Sequence, residues 1–254
     1  MDYGAREASC IPQVTLRDPR LTGQGVLIAV LDSGIDYFLT EFQNADGTTR
    51  ILTLWDQSAT PDVEHNRLPP DGYTEGVLYT RDEINEALAA GSRQAGLAIV
   101  PQQDISGHGT AVAALAAGSR SGVAAKAQLV IVKLGNPLAE SFPRTTQLMR
   151  GISYAVNLGV ELNMPMVVNL SFGNTYGDHR GESLLERFID NASEIGRNAI
   201  IIGSGNEGAS NGHTAGIALT QKSIELAVAA YETGLSVQLW KHPNDDFGLV
   251  VRSP

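Results

Sequence analysis

The sequence predicts an α/β fold in which a parallel sheet carries helices on both faces. Three observations predict it. Short apolar runs rich in β-branched residues recur at 26–31, 128–134, 166–170 and 199–202. They are too short for helices and too continuously apolar for half-wet strands, which is the mark of strands buried on both faces. Between them, apolar residues repeat at helical spacing: Leu148, Ile152, Ala155, Val156 and Val160 in one segment, Leu185, Phe188, Ile189 and Ala192 in another. Alternating strand and helix implies right-handed crossovers that cover both sides of the sheet. Finally, strands stop at polar or glycine-rich turns, where open α/β sheets place their sites.

Taken in order, residues 1–20 read as an irregular arm with Pro12 and Pro19. Val26 to Leu31 form the first buried strand, ending in Asp32-Ser33-Gly34. Residues 41–103 read as a surface excursion containing a strand at Ile51 to Trp55 and a loop from Pro61 to Gly76. A short helix starts at Thr80, with Glu83 at capping-box spacing. His65 lies in the loop and receives no role. From Thr110 to Ala117 the residues are small except Leu115, and Gly109 to Ser119 carries no charge, which predicts a buried central helix with His108 at its mouth. From Ile224 the pattern changes to short strands separated by Gly, Pro and Asn, a β-rich extension beginning near residue 232. The expected organisation is thus an arm (1–20), a main domain (21–230) and the start of a β appendage (231–254).

The 254 residues are 43% hydrophobic and 18% charged, enough for a sizeable core. The net charge of -10 argues against nucleic acid and anionic membrane surfaces as partners. No apolar run approaches the roughly 20 residues of a membrane span. Residues 1–20 lack the apolar core of a signal peptide, and the lone Cys10 allows no internal disulfide, so a cytoplasmic location is favoured over secretion.

Three strand ends carry polar groups that fit one chemistry. Asp32 closes the first strand, Ser171 to Gly173 the third, and Gly203 to Gly208, with Asn206, the fourth. An Asp can orient a His, the His can take a proton from a nucleophile, and an Asn amide can donate to a developing oxyanion. Taken singly, His108 could be a hydrogen-bonded structural histidine, Asp32 a turn cap, Asn206 a turn residue and Ser171 a strand-end hydrogen-bonder.

Asp32-Ser33-Gly34, His108-Gly109-Thr110 and Ser204-Gly205-Asn206-Glu207-Gly208 resemble, in order, the motifs of the subtilisin-like serine proteases (subtilases, peptidase S8). The resemblance runs from about Leu21 to Ala230. It implies a subtilisin-like fold and a serine endopeptidase acting through an Asp-His-Ser triad. Asp32 would orient the base, His108 would be the base, and Asn206 the oxyanion donor. Ser171, Phe172 and Gly173 would pair with the substrate backbone and line its pocket, with Ser204 and Gly205 as another wall. Expected partners are a peptide or protein substrate, and the protein's own propeptide and C-terminal segment. No cofactor or catalytic metal is implied, and structural calcium has no support in the sequence.

Two departures stand out. The gap from Asp32 to His108 is longer than in compact subtilisins, and the Trp-Asp-Gln stretch with the later β appendage resembles the clostridial spore-germination (Csp-type) branch, which adds a spore-associated location to the cytoplasmic one. The family's Gly-Thr-Ser nucleophile motif is absent from these residues, as is a Gly-x-Ser-x-Gly elbow. Ser33, Ser106, Ser171 and Ser204 match neither context, so the nucleophile is expected outside this chain, and the chain alone is expected to be inactive. Two rival readings remain. One is a catalytically inactive subtilase fold that serves as a pseudoprotease or receptor. The other is a dinucleotide-binding protein, because Gly203 to Gly208 spells G-x-G-x-x-G after a strand, with Glu225 downstream. The residues after Gly208 show no helical pattern, which counts against the second.

Overall fold

In the computed structural model the described residues are 3–17, 20–135, 144–171, 173, 177–206, 208, 212–217, 223–228, 230–231, 233–246 and 248–252. The first two helices are short, α1 (Tyr3–Ala8) and α2 (Ile11–Thr15), where the sequence predicted an irregular arm. There follow β1 (Leu27–Asp32), β2 (Ile51–Asp56), β3 (Val77–Thr80), α3 (Arg81–Ala89), α4 (Arg93–Ile99) and α5 (His108–Ala117). The described part continues with β4 (Gln128–Lys133), α6 (Thr145–Glu161), β5 (Met166–Leu170), α7 (Leu184–Ser193) and β6 (Asn198–Ile202).

The strands form one sheet in the order β3-β2-β4-β1-β5-β6, parallel throughout except for β3, which runs antiparallel to β2. β1 lies inside the sheet between β4 and β5, and all six of its residues are buried. Its side chains alternate between two cores, as the period of a strand dictates. Ile28 and Val30 join Leu129, Ile131, Ala113 and Ala117 on one face. Leu27, Ala29 and Leu31 join Val130, Val132, Ile152 and Val156 on the other. Helices therefore cover both faces, α3 and α5 on the first and α6 and α7 on the second. No described helix is long and apolar enough to cross a membrane.

The excursion is tied down by polar ends on aromatic bodies. Thr80 and Glu83 form the capping box that opens α3. Trp55 packs against Tyr73 and Tyr154 and donates from Nε1 to the Glu75 carbonyl at 3.0 Å. Glu75 in turn pairs with Arg150 of α6. The loop is thus anchored to the second core rather than hanging from the sheet.

The structure differs from the sequence expectation in two further places. α5 is not central: only Gly109, Ala113 and Ala117 are buried, while Leu115 is 40% exposed. Small residues on every side give no phase from which a buried face can be read, and the stripe four residues apart is the one that meets β1. In the extension expected near residue 232, the described residues after Ile202 form no strand. A strand needs a paired edge to satisfy its backbone, and among the described residues no strand of the sheet pairs with this part of the chain.

Candidate active site

The site grows from the carboxyl end of β1. Asp32 is the last residue of that strand and only 1% exposed. Its Oδ1 accepts from the Ser33 backbone N–H at 2.7 Å and from His108 Nδ1–H at 2.8 Å. The imidazole belongs to the first residue of α5 and is 55% exposed, against 2% for the Asp32 side chain. A carboxylate only accepts, so Nδ1 carries the proton and Nε2 is left as the free basic nitrogen. Asp32 Oδ2 is buried and has no hydrogen-bond partner among the described residues. A buried carboxylate with one bare oxygen costs stability, and such groups collect at functional sites.

Two glycines bring α5 to β1. Gly107 precedes the helix with φ 73, a left-handed conformation that a side chain would strain. Gly109 lies flat on the strand end: a Cβ there would stand 2.3 Å from the Gly34 carbonyl oxygen and 3.0 Å from Asp32 Cβ. Because the capping position is a glycine, the first amides of α5 find their acceptors elsewhere. His108 N–H donates to Ser106 Oγ at 3.2 Å, Gly109 N–H to Ser33 Oγ at 3.0 Å, and Thr110 N–H to Asp104 Oδ2 at 2.8 Å. Sequence reasoning gave none of Asp104, Ser33, Ser106 or Thr110 a role. The only available signal was an Asp and a Ser just ahead of a helix start.

Asp104 is half-buried. Its Oδ2 also accepts from Thr110 Oγ1 at 2.6 Å, and its Oδ1 accepts from Ser33 Oγ at 2.8 Å and Gly107 N–H at 3.0 Å. Burial works to raise its pKa, but the hydrogen bonds from Thr110, Ser33 and Gly107 outweigh it and hold the carboxyl below the ordinary carboxylate range. At the other end of α5, the buried Arg50 guanidinium donates to the Ala117 and Ala127 carbonyls at 2.6 Å each. Burial lowers its pKa, with Glu41 opposing.

The remaining predicted residues lie along the same sheet edge. Ser171 follows β5, and its Oγ accepts from Asn169 Nδ2 at 2.9 Å. Gly173 approaches the turn after β6: a Cβ on it would lie 3.6 Å from the Gly203 carbonyl oxygen and 3.9 Å from Gly205 N. Ser204, Gly205 and Asn206 are exposed in that turn, Gly205 with φ 95. The structure thus joins Asp32 to His108 and brings Gly173 beside Gly205. Asn206 sits past the end of β6, two strands from β1, or roughly 10 Å at ordinary strand spacing. Phe172 lies outside the described residues. Among the described residues no three His, Cys, Asp or Glu side chains converge as a metal site would require.

An α/β sheet whose inner strand ends in a carboxylate bonded to an imidazole is the arrangement of hydrolases that use an Asp-assisted histidine. The chain belongs to the subtilase family, whose peptidase S8 model matches residues 23–240. It is 37% identical to the CspB protease of Clostridium perfringens, with a TM-score of 0.69 over 82% of this chain and 42% of that one. It therefore spans less than half the length of that relative. Sphericase is similar at 20% identity and a TM-score of 0.49, covering 78% of this chain and 52% of its own. A cold-adapted subtilisin-like serine proteinase is similar at 20% identity and a TM-score of 0.43, covering 74% and 49%. No curated protein matches the chain.

Proposed function

We propose that this chain is the base-bearing part of a serine endopeptidase whose nucleophilic serine lies outside it. The observation that carries the reading is the 2.8 Å bond from His108 Nδ1–H to the buried Asp32 Oδ1. It fixes Nδ1 as the donor to Asp32 and makes Nε2, on a half-exposed ring, the nitrogen that exchanges the proton.

His108 Nε2 takes the proton of the serine hydroxyl as the serine oxygen bonds to the peptide carbonyl carbon. Asp32 holds the ring and stabilises the imidazolium. The carbonyl oxygen becomes an oxyanion, to which the Asn206 amide donates. His108 then gives its proton to the leaving amine as the carbon–nitrogen bond breaks. Water repeats the sequence to release the acid, and every proton is accounted for without a cofactor. Ser171, Phe172 and Gly173 lend the peptide a strand edge, and Ser204 and Gly205 form the facing wall. The substrate is a peptide or protein, and the protein's own propeptide and C-terminal segment are further candidate occupants of the cleft. The sequence's resemblance to the spore-germination branch favours a spore-associated setting.

The test is fluorophosphonate labelling of the native full-length protein, with His108→Ala alongside. Labelling of a serine outside these residues, lost in the variant, supports the proposal. Unchanged turnover in His108→Ala sinks it. A folded protein that takes no label would instead be a subtilase fold that binds peptides without cutting them.

A further inference from the structure

The hydrogen bonds around Asp32 and His108 converge on a second carboxylate, that of Asp104. Each serine hydroxyl has one proton, so the bonds can be followed in order. Ser106 Oγ lies 2.8 Å from Ser33 Oγ and 3.2 Å from Asp104 Oδ1, and its proton goes to the nearer Ser33. Ser33 Oγ lies 2.8 Å from Asp104 Oδ1 and 3.2 Å from Asp32 Oδ1, and its proton goes to Asp104. Asp32 Oδ1 is thereby left to the Ser33 N–H and His108 Nδ1–H.

Asp104 joins three pieces of chain that must agree for the imidazole to meet Asp32. It holds the end of β1 through Ser33 Oγ, the approach loop through Gly107 N–H, and the first turn of α5 through both donors of Thr110. Thr110 Oγ1 also accepts from Asp36 N–H at 2.9 Å, which closes the frame back onto the segment after β1. The chain just before Asp104 is fixed as well. Lys133, which pairs with Asp32 in the sheet register, donates from Nζ to the Gln103 carbonyl at 2.9 Å and lies 3.6 Å from Asp56 Oδ2. The frame is charged at its centre and tied on every side, which an ordinary helix cap does not need.

We propose that Asp104 is a positioning residue for His108, setting the first turn of α5 against β1 so that the ring meets Asp32 in one orientation. This rests on the reading of His108 as the general base. Its carboxylate accepts on both oxygens at once. An Asn in its place has one acceptor and must release either Ser33 or Thr110.

The experiment compares wild-type full-length protein with Asp104→Asn and Ser33→Ala. Ser33→Ala cuts the link to β1 while leaving the Asp104–Thr110 cap, so it serves if Asp104→Asn fails to fold. Active sites are counted by fluorophosphonate titration, and turnover of a peptide substrate is measured per counted site. Turnover per site should fall about ten- to a hundredfold with KM within about twofold, the mark of misplaced rather than missing groups. A cap that only stabilises α5 would lower the melting temperature and the number of labelled sites but leave turnover per site unchanged, and that result overturns the proposal. The downfield His108 Nδ1 proton, followed by NMR, gives a readout that needs no turnover. It should broaden or vanish in both variants, and its persistence unshifted also overturns the proposal. Wild-type protein with neither label nor turnover would overturn the protease reading instead, and the NMR signal would then decide the role of Asp104 by itself.

Discussion

Replacing Gly109 by Ala gives the sharpest test of how the site is built, because two effects of opposite sign compete there. In a helix without neighbours the change would stabilise by up to about 1 kcal/mol. Here the added Cβ meets the Gly34 carbonyl oxygen at 2.3 Å and Asp32 Cβ at 3.0 Å. A carbon rests about 3.3 Å or more from a carbonyl oxygen, and both obstacles are held by β1, so α5 must withdraw by about 1 Å. Overpacking of this kind costs about 1–3 kcal/mol, and the net expectation is a loss of about 1–2 kcal/mol. The same withdrawal stretches the 2.8 Å His108–Asp32 bond towards the limit beyond which it ceases to count as one. A displacement of about 1 Å is worth about a hundredfold in rate. Urea unfolding measures the first quantity, and turnover per titrated active site of the full-length protein measures the second. A variant as stable as wild type, with full turnover per site, would refute the claim that close approach of α5 to β1 sets the geometry.

Other outcomes follow from the same structure. Asp32→Asn should lower turnover by about 10⁴-fold through the wrong imidazole tautomer, yet thermal unfolding should show no loss of stability, because a buried and half-satisfied charge has gone. Arg50→Met should lower stability in urea by about 3 kcal/mol, since the Ala117 and Ala127 carbonyls lose their buried donors. Asp104 sets part of the acid limb. Its folded pKa lies below its unfolded one, so the unfolded chain binds more protons and stability rises with pH between the two values. That contribution is whole above about pH 4 and is lost as the pH falls through the lower folded value. Urea midpoints at pH 6 and pH 3 should therefore differ less in Asp104→Asn than in wild type, and equal differences would refute it.

Much of the fold was legible because a buried parallel strand leaves little choice of residue. Leu27 to Leu31 and Leu129 to Val132 read as strands from their continuous apolar character alone. β3, with four residues and an antiparallel partner, carried no such run, and α4 announces itself only through Ser92, whose Oγ accepts from Ala95 N–H. The burial of α5 was misjudged because Ala and Val on all sides look alike whichever face is covered. Asp32 and His108 were visible through short motifs whose residue types the chemistry restricts. Asp104 and Ser33 stayed hidden because their partners are chosen by the approach of α5 to β1, which no local pattern encodes.

The order in which these pieces occur along the chain has a consequence for synthesis. β1, β2, α5 and β4 all fall between Leu27 and Lys133, and with them Asp32, His108, Asp104 and Lys133. Emerging at about 5–20 residues per second, this half of the sheet has on the order of ten seconds to fold before Pro254 is made. The imidazole is thus seated early, while the strands that would border the substrate are still being added. If the nucleophile follows later still, a ribosome carrying this segment exposes a basic histidine that has nothing yet to activate, and the nascent chain is spared its own chemistry.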